Sequence, residues 1–353
     1  MKENLTTHYI WLDALRIVSI FLIVNYHIIK LSPSLLSKIV ILNLWFENGA
    51  TGVTALFVLS GYLITKSLLL RTRTYKEYVI ERFVKIIPLY FIILICGYVY
   101  YHQFVAWPDV VIAMMLTLKM STFGGISALG SLWFVTVIFK VYLIAPIVIF
   151  FGTYNKQIIL LLIAIFICIK LTIYFLYHPS IDAFYLTFIG RVDQFIIGQY
   201  IALAAHTAPR RKLKVINIIG IICVFTLYFY IKSQPCCYVF RTVGWYSIYL
   251  SFEALAWGYI IWALAIFNTA NRYNRLLRHW GETCYVVYLL HIPIMLFVQY
   301  ITEKKIFIQF SLTRSLFFWT LLLCVSWLMN AMMSRYITPF LTKVMRVKST
   351  TNE

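Results

Sequence analysis

Apolar residues in this chain come in long unbroken runs rather than in the three-and-four spacing of an amphipathic surface helix. Runs near 10–29, 51–70, 86–102, 132–151, 158–177, 187–206, 215–231, 245–267, 283–302 and 314–337 stand out. Each approaches the ~20 residues that carry an α-helix across a bilayer. A helix satisfies its own backbone N–H and C=O groups, as hydrocarbon demands. The pattern therefore predicts an all-α, polytopic transmembrane helix bundle of about ten spans. A shorter apolar piece at 109–118 is expected to be re-entrant or interfacial. The first run is interrupted by charge and lacks a small-residue cleavage site behind it, so it reads as a retained span and not a signal peptide. No fixed-period repeat or two-half symmetry is visible. One transmembrane domain is expected over 1–353, with the bundle at about 9–337 and a basic cytoplasmic tail at 338–353.

Composition agrees: 62% of the 353 residues are hydrophobic and 12% are charged. Soluble domains carry about 25% charged residues. The net charge of +19 does not point to nucleic acid, because the basic residues are spread among loops. Clusters at 71–85, Arg210–Lys214, 272–278 and from Arg335 onward follow the positive-inside rule. Placing all four in the cytoplasm requires an even number of crossings with both termini inside, in a cell inner (plasma) membrane. Seven cysteines show neither a CxxC nor a Cys/His spacing suited to a metal, so none is expected.

The first span, IWLDALRIVSIFLIVNYHII, holds Asp13, Arg16 and His27. Charged groups near the middle of a span cost about 2.5 kcal/mol or more. Arg16 and His27 are eleven residues apart, which leaves them about 20° out of phase and roughly 16 Å apart along one helix. Either could have a plain role: Arg16 snorkelling to headgroups, His27 bonded to a carbonyl at the interface. Together on one stripe they imply a shared hydrated path. Lys170, Asp193, Gln194 and Glu253 also fall within spans and need partners. An Arg partner for Asp193 is one possibility, and the sequence does not choose.

This R-x10-H pattern resembles that of the acyltransferase-3 family, and further stretches match in the family's order. GVTALFVLSGYLI (Gly52 to Ile64) includes Ser60-Gly61, a notch for close helix packing or a hydroxyl for a polar interior. ERFVKIIPLY is similar to the family's RRxxRIxPxY through Arg82, Pro88 and Tyr90. Glu81 and Lys85 depart from it, and Lys85 keeps the charge without the bidentate fork of an arginine. Trp133, Tyr142 and Pro146, then Arg191 in GRVDQF, then Tyr288 and His291 in CYVVYLLHIPI complete the set. The likeness runs from about Tyr9 to Tyr336.

The resemblance implies transfer of an acyl group, acetyl by expectation, from acyl-CoA to a hydroxyl of a cell-surface or lipid-linked glycan. It implies His27 and Arg16 as catalytic residues, with Arg82, Lys85, Ser60, Tyr90, His291 and Arg191 binding substrate or acyl-CoA. No bound cofactor is expected; acetyl-CoA is a co-substrate. The partners expected are acyl-CoA, a glycan or glycolipid acceptor and the lipid bilayer, with no nucleic acid. The alternative from another class is a transporter or flippase, in which the same buried charges would relay protons.

Overall fold

The computed structural model describes residues 10–32, 39–101, 130–207, 215–233, 242–266, 275–303 and 311–350. The piece at 109–118, the cluster Arg210–Lys214 and the pair Cys236-Cys237 lie outside them. The described elements are all helical. In order they are α1 (Ile10–Leu31), α2 (Val40–Glu47), α3 (Thr51–Leu70), α4 (Tyr75–Tyr101), α5 (Leu132–Tyr154), α6 (Lys156–Tyr177) and α7 (Ile181–Tyr185). Then come α8 (Phe188–Thr207), α9 (Val215–Ser233), α10 (Val243–Ile266), α11 (Arg275–Glu303), α12 (Leu312–Met332), a π-helical turn (Met333–Ile337) and α13 (Thr338–Thr350).

Among the described residues, seven helices are long and apolar enough to cross a membrane: α1, α3, α5, α6, α10, α11 and the α12 run to Met345. Helices also occupy the remaining long runs, as α4, α8 and α9. Two differences from the hydropathy pattern stand out. The third apolar run begins near Ile86, yet its helix starts at Tyr75, so Arg82 and Lys85 sit on helical backbone. The described part of the tail is helical too, as α13 (Thr338–Thr350), and it packs against α4.

The chain divides into two compact units, Met1–Thr72 with Ile144–Glu282, and Arg73–Leu143 with Thr283–Glu353. In the first unit α8 is central and packs on α3, α6 and α10. Its contact with α3 is made by two glycines facing opposite ways. A Cβ on Gly61 would collide with the Phe195 carbonyl oxygen, and one on Gly198 with the Val58 carbonyl oxygen. Small residues let two backbones touch where lipid offers no hydrophobic drive for association. α1 docks on α3 in the same way, with Gly52 against the Ser19 carbonyl.

Interior prolines of α5 and α11 free two carbonyls of the second unit, Tyr142 and Leu289, and hydroxyls take both. Pro146 cannot donate to the Tyr142 carbonyl four residues back, and the Tyr78 hydroxyl donates to it at 3.0 Å. Pro293 likewise leaves the Leu289 carbonyl, which accepts from Ser131 Oγ at 3.4 Å. Each bond ties two helices together at a proline that would otherwise expose backbone.

Gly61→Val should lower stability by about 3 kcal/mol, at the upper end of overpacking costs. Gly220→Val serves as its control, since a Cβ there meets nothing within 4 Å. Thermal unfolding in detergent should show a large shift for the first and almost none for the second.

Candidate active site

Helix α1 holds its guanidinium from its own preceding turn. Arg16 Nη1 donates to Asp13 Oδ1 at 2.7 Å, with Asp13 sealed and the Arg16 side chain 28% exposed. Gly281 leaves room for the Asp13 carboxylate, where any side chain would strike it. The result is a guanidinium held at one terminal nitrogen on a side chain that is still part-exposed. At the other end of the helix His27 is half-buried, edge-on to the Tyr26 ring with centroids 5.2 Å apart. Arg16 and His27 do share one stripe, but Ile20 and Ile23, both buried, lie between them on it.

The largest polar constellation in the first unit is one that sequence spacing could not assemble. α8 carries Arg191, Asp193, Gln194 and Gln199, all fully buried, and sends them to different neighbours. Arg191 Nε donates to the Tyr185 carbonyl at 2.8 Å. Its Nη1 donates to Thr54 Oγ1 at 3.2 Å and to Gln194 Oε1 at 3.1 Å. Thr54 in turn donates to Glu253 Oε2 at 2.5 Å, and the Tyr249 hydroxyl donates to Glu253 Oε1 at 2.7 Å. Thr54 thus joins a buried cation to a buried carboxylate. The Arg191 guanidinium also lies over the Tyr185 ring, 4.1 Å from its centroid.

Asp193 is paired with Lys170 of α6, Nζ to Oδ2 at 2.7 Å, both side chains wholly inaccessible. Ser251 of α10 donates to the same oxygen at 2.5 Å. The partner of Asp193 is thus a lysine and not an arginine. Gln199 Nε2 reaches the Ala145 carbonyl at 3.1 Å. Ser60 is half-buried, and the close approach beside it is made by Gly61.

In the second unit, Arg82 and Arg73 both lean over the Tyr78 ring, with guanidinium carbons 5.6 and 5.4 Å from its centroid. Glu81, where the family has arginine, forms ion pairs with both, at 3.7 Å to Arg82. It offsets part of the positive charge that the motif would otherwise concentrate. Lys85 is exposed and Tyr90 is buried. The Tyr285 hydroxyl bonds the Ile86 carbonyl at 2.8 Å. His291 is buried, its Nδ1 2.5 Å from the Tyr288 carbonyl and its ring 5.5 Å from that of Tyr288. Arg73 and Tyr78 went unrecognised in the sequence because a basic loop is already explained as a topology signal.

The structure thus places Arg16, His27, Ser60 and Arg191 in one unit and Arg82, Lys85, Tyr90 and His291 in the other. These features define an integral-membrane type of helical protein with ionisable groups inside its bundle. A family model described as an acyltransferase domain matches residues 9–330, and the chain belongs to the acyltransferase-3 family. Neither a curated protein nor a solved structure matches it.

Removing Lys170 alone would strand a buried carboxylate. Lys170→Met should cost about 3–5 kcal/mol, and adding Asp193→Asn should recover most of it. Unfolding of the single and double variants in detergent measures both numbers.

Proposed function

We propose that the chain transfers an acetyl group from acetyl-CoA to a hydroxyl of a cell-surface or lipid-linked glycan. The observation that carries this is α1, which fixes a guanidinium through Asp13 at one end and holds a half-buried imidazole at the other. A sugar hydroxyl is a weak nucleophile, and an imidazole with an ordinary pKa of about 6.5 is the natural acceptor for its proton. The hydroxyl oxygen attacks the thioester carbonyl as His27 takes the proton. The new C–O bond forms, the C–S bond breaks, and the proton passes to the departing coenzyme A thiolate. A variant of this route has His27 itself carry the acyl group between two transfers.

Arg16 orients the donor, and the Arg82 and Lys85 region receives its phosphates as charge-assisted contacts. Glu81 makes that region less positive than a run of three arginines would be. The basic loops support an inner-membrane setting with both termini in the cytoplasm, where acyl-CoA resides. Membership of an acyltransferase family favours this reading over transport of a glycan, for which the buried charges alone would have argued.

His27→Ala at matched membrane levels should abolish glycan acetylation; undiminished acetylation would reject the assignment. Arg82→Ala should weaken coenzyme A binding several-fold, most at low salt where exposed charges are least screened. A coenzyme A affinity unchanged across a salt series would remove that residue from the donor site.

A further inference from the structure

Beyond α1, the first unit builds a second polar surface at the same end of the helices as His27. Tyr185 comes from α7 and Tyr246 from the start of α10, while Tyr26 of α1 has the Lys30 ammonium 4.5 Å over its ring. The Arg191 guanidinium lies over the Tyr185 ring, and the Tyr246 ring is 5.9 Å from that of Tyr249, whose hydroxyl bonds Glu253. All three tyrosines are half-buried. The Tyr246 hydroxyl has no hydrogen-bond partner among the described residues and is not fully buried. The Tyr185 and Tyr246 rings lie 6.4 Å apart at 51°, and Tyr185 is backed by the Arg191 guanidinium.

An interfacial aromatic belt would place such rings against lipid. Phe175, Tyr230 and Phe252 are rings of that kind, and all are well exposed. Tyr185 and Tyr246 differ: they pack on the buried cluster of Phe184, Tyr249 and Leu250, with a buried charged floor behind it. That floor carries one cation and one carboxylate, Arg191 and Glu253, linked through Thr54. It therefore presents polarity without net charge.

Resting on the acyl-transfer reading above, we propose that Tyr185 and Tyr246 form the acceptor subsite and take an uncharged sugar ring of the glycan. Aromatic faces cover the apolar C–H face of such a ring, and phenol hydroxyls both donate to and accept from its hydroxyls. A floor without net charge suits a neutral sugar better than an acidic one. Arg191 is then a positioning residue: it touches no ligand, and it fixes the Tyr185 ring through its carbonyl and face.

The test uses the full chain in lipid nanodiscs, with acetyl-CoA and the lipid-linked glycan fraction extracted from cells lacking the protein. Tyr246→Phe keeps the ring and removes the hydroxyl, so folding is preserved. It should raise the half-saturating acceptor concentration five- to tenfold, while that for acetyl-CoA moves less than twofold. Phe252→Ala, a lipid-facing ring, should alter neither. A Tyr246→Phe acceptor constant within twofold of wild type would overturn the subsite and leave the acyl-transfer reading standing. Wild-type protein that consumes no acetyl-CoA would overturn both.

Discussion

A helix that carries Arg191, Asp193, Gln194 and Gln199 cannot face lipid, and the first unit is built around that constraint. Unpaired polar groups in hydrocarbon cost several kcal/mol each. α8 is accordingly enclosed by α3, α6 and α10. Each of its polar side chains fastens it to a neighbour: Arg191 to α3 and α7, Asp193 to α6 and α10, Gln194 to α10, Gln199 to α5. Apolar packing alone discriminates poorly between helix faces in a membrane. Buried hydrogen bonds specify both the partner and the register.

From α8 the constraint passes outward to the chemistry. The paired glycines Gly61 and Gly198 set how closely α3 approaches, and Gly52 sets α1 upon α3. α1 brings Arg16 and His27, and its carboxylate Asp13 needs the space left by Gly281. Arg16 and His27, the residues proposed to act on substrate, are thus carried on a helix held by small residues and a buried charge. The second unit solves the complementary problem, closing the carbonyls opened by Pro146 and Pro293 with hydroxyls from neighbouring helices.

Much of this was legible in the chain. Hydropathy placed the long helices, because a run of twenty apolar residues has few other fates. The R-x10-H spacing put Arg16 and His27 on one stripe, which helical geometry alone guarantees. Pairings between distant residues were not legible: nothing local links Lys170 to Asp193, or Thr54 to Glu253. The Ile20 and Ile23 side chains between Arg16 and His27 show that a shared stripe is a weaker statement than a shared path. Arg73 escaped notice since loop arginines have an adequate explanation in topology, and Glu81 read as a motif defect until its two arginine partners were visible.

The central claim is that this bundle couples thioester cleavage to esterification of a glycan hydroxyl. The direct measurement is the stoichiometry of the wild-type reaction in reconstituted membranes, following free coenzyme A thiol and glycan-bound acetyl in the same sample. The account predicts that thiol appears only when the glycan fraction is present and matches acetyl incorporated one for one. Glycan moved or bound with no thiol released would contradict it.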